Sequence, residues 1–256
     1  MRDILEALAD GELTPREAEA RLHGYVTEDS GRYDAARPDR RGVPEAVLAA
    51  GKTPAEAAEL AATALETTGH ALVTRADART RRTVADRLEA VDGDRDVRVD
   101  DRGRLVEAHR GAPPSVDATV ALVTAGTADR VPAREARATL RAMGPRIDLV
   151  EDVGVAALDR LLDVRSRIAA ADAAVVAAGR EGALPTVVAG LVDTPVIALP
   201  VGSGYGRGGD GEAALLGALQ SCTVLSTVNV DAGFVAGAQA GLIARAVAAA
   251  RGEPPR

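Results

Sequence analysis

The stretch GREGALPTVVAGLVDTPVIALP, Gly179 to Pro200, contains the repeat from which we infer the fold. An apolar strand at Ala173–Ala178 leads into it, and a turn with two glycines, a short helix and an apolar strand at Pro195–Leu199 follow. This order is half of the repeating unit of a parallel sheet. A glycine-rich turn presents backbone N–H groups at a helix N-terminus, which favours an anionic ligand. Glu181 in that turn is either a carboxylate held at the ligand or a solvated turn residue, and this stretch leaves both open.

The composition indicates a core of small aliphatic side chains, mostly alanine, valine, leucine and isoleucine. Apolar residues make up 46% of the 256 residues and aromatic residues only 2%, which suits helices packed on parallel strands. The net charge of −7 argues against a nucleic-acid surface, because phosphate backbones are held by clustered positive charge. The chain shows no N-terminal apolar leader and no long apolar span free of charges or breakers. We therefore expect a cytoplasmic protein with neither a membrane nor a nucleic-acid partner.

Residues 1–113 are predicted to form a small N-terminal α/β domain. Residues 1–30 look helical and polar, and Thr-Pro-x-Glu signatures at Thr14 and Thr53 each predict a helix start. A boundary at Gly111 to Pro114 separates this domain from a catalytic domain over residues 114–256. The other predicted elements of the first domain are a strand near Ala71–Thr74, a helix near Thr80–Ala90 and a hairpin with strands at Val97–Val99 and Leu105–Glu107.

An arginine-rich segment, YDAARPDRRGVPEAVLAAGKT, lies within the first domain at Tyr33 to Thr53. Guanidinium groups match the geometry of phosphate and carboxylate groups, so we predict that Arg37, Arg40 and Lys52 contact the substrate. The alternative is a solvated linker with internal ion pairs.

From Ser115 onward, apolar strands alternate regularly with helices. Five such βα units predict a doubly wound parallel sheet with right-handed crossovers. The predicted strands are Ala118–Val123, Ile147–Val150, Ala173–Ala178, Pro195–Leu199 and Ser226–Val230. The predicted helices are Pro132–Met143, Val155–Ala170, Ala183–Leu191, Glu212–Leu219 and Phe234–Ala249.

Glycine and polar residues directly follow each of these five strands. Parallel strands end at one edge of the sheet, so the five loops should share the edge where such folds bind ligands. The positions that we predict to contact substrate in these loops are Gly126, Thr127, Asp129, Asp152, Gly179, Gly182, Ala183, Ser203, Tyr205, Asn229 and Asp231. Tight loops with carboxylates suit a phosphorylated ligand bridged by Mg²⁺, and Asp129 and Asp231 are the predicted metal ligands.

The reactive side chains exclude several familiar types of active site. All three histidines, His23, His70 and His109, lie before the regular sheet, which disfavours a Ser-His-Asp triad or a histidine metal site there. The single cysteine, Cys222, rules out an intrachain disulfide but is the one strong potential nucleophile of the catalytic domain. A lone cysteine is also commonly an inert small hydrophobic residue. No P-loop or GxGxxG turn occurs in the expected context.

Several motifs in order resemble the LarB family of nickel-pincer cofactor biosynthesis. They are the arginine-rich segment, TAGTADRVPAREA, DVGVAALDRLL, GREGALPTVVAGLVDTPVIALP and ALQSCTVLSTVNVDAGF. The resemblance runs from about Tyr33 to Gly237. It implies a catalytic half related to PurE, the aminoimidazole ribonucleotide carboxylase, and a homo-oligomer that is an octamer in the PurE-like form.

The resemblance also implies a reaction. The enzyme would carboxylate nicotinic acid adenine dinucleotide with CO₂ or bicarbonate and cleave its phosphoanhydride, giving pyridinium-3,5-biscarboxylic acid mononucleotide and AMP, without a prosthetic group. In this interpretation Cys222 adds to the pyridinium ring as a thiolate and Glu181 removes the ring proton. The alternatives are a PurE-like aminoimidazole ribonucleotide carboxylase or mutase and a nucleotide-binding module without turnover.

The chain departs from the family pattern at a few positions. Asp159 stands where the family usually has histidine, Arg180 stands where it has methionine, and Arg207 and Asp210 change the loop Val201–Glu212. Cys222 comes just before the last predicted strand, at the amino edge of the sheet, whereas Glu181 lies at the carboxyl edge. Either the segment around Cys222 is not simply the end of a helix, or a neighbouring subunit completes the site. We expect the second, since PurE-like proteins assemble as homo-oligomers.

Overall fold

The computed structural model describes residues 1–252, and the chain divides into two compact units, Met1–Pro113 and a second that begins at Pro114. The helices of the first unit are α1 (Arg2–Ala9), α2 (Pro15–His23), α3 (Arg37–Arg41), α4 (Pro54–Thr68) and α5 (Ala78–Glu89). Its strands are β1 (Val26–Glu28), β2 (Gly31–Tyr33), β3 (Val47–Leu48), β4 (His70–Thr74), β5 (Asp96–Asp100) and β6 (Leu105–His109).

The first unit is a four-stranded sheet covered by helices. Its strands lie in the order β3-β4-β6-β5, with β3 and β4 parallel and the other pairs antiparallel. Capping boxes fix the starts of α2 and α4: Thr14 pairs with Glu17, and Thr53 pairs with Glu56. Helix α4 buries a face of alanine and leucine against the sheet and α5.

Two parts of the first unit differ from the sequence prediction. The prediction of helix through residue 30 is wrong at its end, because β1 and β2 form an antiparallel hairpin there. Tyr33 at the end of that hairpin is buried in the core, so tertiary packing decides the conformation. The arginine-rich segment is more regular than expected and contains the short helix α3, which ends at Gly42 in the left-handed region.

The second unit is an α/β domain with a five-stranded parallel sheet, which confirms the predicted fold class. Its strands are β7 (Thr119–Thr124), β8 (Arg146–Val150), β9 (Ala173–Ala178), β10 (Val196–Pro200) and β11 (Ser226–Thr227). Its helices are α6 (Arg130–Met143), α7 (Leu158–Ala169), α8 (Ala183–Leu191), α9 (Glu212–Leu219) and α10 (Gly233–Ala250), and short 3₁₀ turns at Thr127–Asp129 and Val155–Ala157 precede α6 and α7.

Helices cover both faces of this sheet. Strand residues alternate between a core shared with α6 and α10 and a core shared with α7 and α8. All six residues of β9 are buried, as expected for a central parallel strand. Helix α10 approaches α6 closely, since a Cβ atom at Gly237 would lie 2.6 Å from the Ala136 carbonyl oxygen.

By length and composition, α10 is the one helix within residues 1–252 that could cross a membrane. It packs instead on α6 and on three strands of the sheet, and 44% of it is buried inside the unit. These contacts explain the apolar composition of α10 as that of a core helix.

Candidate active site at the switch point of the sheet

The strand order places a cleft at the centre of the second sheet. The order is β11-β10-β9-β7-β8, so the first strand of the unit, β7, lies between β8 and β9. The connections leaving β7 and β9 therefore diverge, and open α/β sheets bind ligands at such a switch point. A cleft of about 480 Å³ opens there. It is lined by residues 125–129 after β7, 154–156 after β8, residues 178–181, 183 and 184 around the turn after β9, and Ser203 and Tyr205 after β10.

Asp129 ties three of these loops together. Its carboxylate accepts hydrogen bonds from the backbone N–H groups of Gly126 (2.8 Å) and Gly179 (3.1 Å) and from the Ser203 hydroxyl (3.3 Å). The side chain is buried, and burial raises the pKa of this carboxyl above its ordinary value. Asp129 is thus a cleft residue whose oxygens are largely occupied by the protein itself.

Close backbone approach explains two of the glycines predicted from the sequence. A Cβ atom at Gly179 would lie 2.5 Å from the Ser203 hydroxyl oxygen. The loops after β9 and β10 can therefore approach this closely only because residue 179 is glycine. Gly182 has a φ of 65° and lies against Ala214 of α9, where a Cβ atom would be 2.6 Å from the Ala214 Cα. Gly182 therefore packs the turn against α9 and does not line the cleft.

Strained backbone concentrates at the carboxyl edge of the sheet. Asp152, Arg180 and Asp231 follow three different strands and have φ values of 62°, 53° and 54°. Residues other than glycine rarely adopt this left-handed region of φ, and such backbone strain is typical of functional sites. The sequence patterns did not reveal this feature, because they report residue types and not dihedral angles.

Glu181 and Arg180 present opposite charges to the cleft. Glu181 is exposed and makes no hydrogen bond or ion pair with any described residue. The guanidinium carbon of Arg180 lies 4.3 Å from the ring centroid of Tyr205, an ordinary cation–π geometry. The carboxylate at the turn after β9 is therefore available to a ligand.

The structure brings together eight of the residues that we predicted to act on or bind substrate. Those lining the cleft are Gly126, Thr127, Asp129, Gly179, Glu181, Ala183, Ser203 and Tyr205. Asp152 lies outside the lining, 3.3 Å from a guanidinium nitrogen of Arg160. Asn229 and Asp231 also lie outside it, and Asp231 accepts a hydrogen bond from the Gly202 N–H at 3.0 Å.

Sequence reasoning missed Arg180, Val155 and Ala156 as cleft residues. The available signal was Gly154, whose N–H donates to the Ala125 carbonyl at 2.9 Å and so joins the loops after β7 and β8. A Cβ atom at Gly154 would lie 2.8 Å from that carbonyl oxygen, which explains the glycine.

Cys222 is exposed and does not line the cleft. It lies between α9 and β11, and its neighbours hold it against the middle of α8. The Thr186 hydroxyl donates to the Ser221 hydroxyl oxygen at 3.0 Å, and the Thr223 hydroxyl donates to the Thr186 carbonyl at 3.4 Å. Within one copy of the chain, the predicted nucleophile and the cleft beside Glu181 are therefore separate features.

The three cations predicted from the first unit are engaged within that unit. Arg37 pairs with Glu45, and Arg40 forms a two-pronged pair with Asp34 at 2.8 and 3.1 Å. The Lys52 ammonium donates to the Leu48 carbonyl at 2.8 Å. Their predicted contact with substrate stays a prediction.

The described residues, 1–252, contain no group of three or more histidine, cysteine, aspartate or glutamate side chains placed to hold a metal ion. Asp231 already accepts a hydrogen bond from the Gly202 N–H, and Asp129 already accepts one from the Ser203 hydroxyl. Two carboxylates suffice for Mg²⁺ only where substrate phosphates supply further oxygens. The predicted role of Asp129 and Asp231 as ligands of Mg²⁺ stays a prediction.

Comparison with known proteins gives matches in both units. Residues 26–105 match the model of the LarB/PurE-like N-terminal domain, and residues 119–254, more than half of the chain, match the AIR carboxylase model. The uncharacterized protein MJ0165 of Methanocaldococcus jannaschii is 34% identical over 253 residues, which cover 96% of this chain and 97% of that protein.

Proposed function

Because the chain belongs to the LarB family and its catalytic half is PurE-like, we propose that it carboxylates nicotinic acid adenine dinucleotide. The family assignment confirms the resemblance found in the sequence, and the AIR carboxylase match supports a carboxylase type of enzyme. The products proposed are pyridinium-3,5-biscarboxylic acid mononucleotide and AMP, with CO₂ or bicarbonate as co-substrate. We place the enzyme in the cytoplasm and in the biosynthesis of the nickel-pincer cofactor.

The observation that carries this proposal is the position of Glu181. It lies in the switch-point cleft with its carboxylate unpaired among the described residues, whereas the buried Asp129 is occupied by three donors. A general base must reach the proton that it removes and must not be saturated by other donors. Glu181 is not saturated by other donors, and its position in the cleft supports contact with a ring bound there.

The ring chemistry needs a nucleophile as well as a base. A pyridinium ring is electron-poor and does not attack CO₂. Addition of the Cys222 thiolate to a carbon beside the ring nitrogen forms a C–S bond, breaks the aromatic system and leaves an enamine. The enamine carbon then forms a C–C bond to CO₂. Glu181 removes the proton from that carbon, and loss of the thiolate breaks the C–S bond and restores the pyridinium ring.

Since Cys222 lies outside the cleft of its own copy, we assign it to the cleft of a neighbouring copy. An apolar surface surrounds it: the exposed fractions of Leu216, Leu219 and Val224 are 46%, 62% and 96%. Exposed apolar side chains grouped in this way are typical of subunit interfaces. The proposal therefore includes a homo-oligomer in which each site combines Glu181 of one copy with Cys222 of another.

The dinucleotide brings two phosphates to the cleft. The Gly126 and Gly179 N–H groups already donate to Asp129, so the phosphates would meet the other backbone N–H groups of the turns after β7 and β9. Mg²⁺ entering with the phosphates would be held beside Asp129 and Asp231 and would neutralise phosphate charge during phosphoanhydride cleavage. No step of the ring chemistry depends on the ion.

The direct test is to incubate the protein with the dinucleotide, bicarbonate and Mg²⁺ and to analyse the products by mass spectrometry. We expect AMP together with a product heavier than nicotinate mononucleotide by one carboxylate. Absence of both products would contradict the proposed reaction. Cys222→Ser and Glu181→Gln should each abolish carboxylation, and carboxylation that survives Cys222→Ser would exclude thiol addition.

Mixing the two inactive variants tests the shared site. If Cys222 and Glu181 come from different copies, co-assembled Cys222→Ser and Glu181→Gln chains regain about a quarter of the wild-type activity, because about a quarter of the sites receive both intact residues. A site built within one copy predicts no recovery. The control is each variant co-assembled with itself.

A further inference from the structure

The side chains lining the switch-point cleft have an uneven distribution of charge. Two carboxylates line it, Asp129 and Glu181, and Arg180 is the single lysine, arginine or histidine among the lining residues described. The dinucleotide proposed as substrate carries negative charge on its phosphates and on its ring carboxylate. Among the described lining residues, Arg180 is therefore the one cationic side chain that could pair with an anionic ligand.

Arg180 is free to bind an anion. It makes no hydrogen bond or ion pair with any residue in the described part of the chain, and its guanidinium carbon lies 4.3 Å from the Tyr205 ring centroid. Stacking uses the flat face of the guanidinium and leaves the N–H donors at its edge available to a carboxylate. Two arginines near the same edge are already committed: Arg130 pairs with Glu151 at 2.9 Å, and Arg160 pairs with Asp152.

The backbone around Arg180 is held in an unusual conformation. Its φ of 53° is left-handed, a region that a long side chain adopts only when its surroundings impose it. Gly204 lies against it, since a Cβ atom there would be 3.2 Å from the Arg180 backbone nitrogen. This contact brings Tyr205 to the guanidinium. Arg180 and its stacking partner are thus positioned before any ligand binds.

We propose that Arg180, held by Tyr205, binds the ring carboxylate of the substrate and so selects the nicotinic acid dinucleotide over the nicotinamide dinucleotide. The inference rests on the proposed function and concerns this chain in particular, because Arg180 stands where the family has methionine. Arg180 directly precedes Glu181 in the same turn, so a ring bound by its carboxylate at Arg180 is presented to the base. The amide analogue lacks the negative charge and offers only one acceptor oxygen to the guanidinium.

The test compares the two dinucleotides by isothermal titration on the wild-type chain and on Arg180→Met, Arg180→Lys and the control Arg207→Met. Arg207 is exposed in the loop after β10 and does not line the cleft, so its replacement removes the same charge nearby. We expect wild type and Arg207→Met to prefer the acid about tenfold to hundredfold, the range of a charge-assisted pair. Arg180→Met should lose this preference, and Arg180→Lys should keep part of it.

The kinetic constants of Arg180→Met and substitutions of Tyr205 test the role of Arg180 independently of the titrations. Arg180→Met should raise KM for the acid dinucleotide more than it lowers kcat. Tyr205→Leu removes the ring and should weaken binding of the acid dinucleotide roughly twofold to fivefold, whereas Tyr205→Phe keeps the ring and should weaken it less. Equal binding of the two dinucleotides by wild type, or a preference that survives Arg180→Met, would overturn the role of Arg180. Acid-selective binding without AMP formation would overturn the proposed reaction alone, and no binding of either dinucleotide would overturn both.

Discussion

Replacement of Asp129 by alanine tests whether this carboxylate holds the cleft together. The change removes three hydrogen bonds and leaves the Gly126 and Gly179 N–H groups without their acceptor. A buried donor left unsatisfied costs about 1–3 kcal/mol. Removing a buried carboxylate recovers part of this loss, because burial already disfavours its charged form, as its raised pKa indicates. We expect the free energy of unfolding to fall by roughly 2–4 kcal/mol.

The assay is urea denaturation followed by far-UV circular dichroism, since the chain contains no tryptophan. Asp129→Asn keeps the shape but turns an amide group toward a backbone donor, so it should destabilise less than Asp129→Ala. Asp163→Ala is the matched control, because the Asp163 side chain is exposed on α7 and makes no hydrogen bond or ion pair with a described residue. Its stability should stay within about 0.5 kcal/mol of wild type.

Hydrogen exchange gives a local reading of the same change. The Gly126 and Gly179 amides should exchange faster in Asp129→Ala than in wild type, because their common acceptor is gone. Wild-type stability together with wild-type exchange at both amides would refute the role of Asp129 as a structural tie. Lost activity with both quantities unchanged would instead favour a direct role in metal or substrate binding.

Three further predictions concern stability and assembly. Burial lowers the pKa of His70 from 6.5 to about 3, and His109, whose ring centroid is 4.5 Å away, contributes to this shift. Between these two pH values the unfolded chain binds a proton at His70 that the folded chain does not bind. Stability should fall as pH drops from about 6.5 to about 3, by up to about 1.4 kcal/mol per pH unit, and the melting temperature of His70→Leu should depend less on pH. Gly182→Ala should lower the melting temperature far more than Gly206→Ala, because both have positive φ but only Gly182 faces a clash; equal losses would contradict this. Leu219→Asp should reduce the assembly mass measured by light scattering, and an unchanged mass would remove α9 from the interface.

Much of the second unit could be predicted from its sequence. Helices α8 and α9 and strand β9 have the predicted bounds, since turns with glycine, proline or charged residues interrupt each apolar run. The prediction was less accurate where local preference is weak. Strand β11 is only Ser226–Thr227, because it pairs with β10 alone at the edge of the sheet. The hairpin at residues 26–33 was missed because its stability comes from packing of Tyr33 in the core.

Local sequence preferences are enough to set the alternation of strands and helices and the glycine and polar residues after each strand. They are enough because strand, helix and turn preferences act over a few neighbouring residues. The strand order, which sets β7 between β8 and β9 and so places the cleft, emerges only from the folded chain. The folded chain also decides that Asp129 is occupied by loops distant in sequence, that Arg180 stacks on Tyr205, and that Cys222 lies outside the cleft of its own copy. These features depend on long-range contacts, and no local pattern encodes which loops will meet.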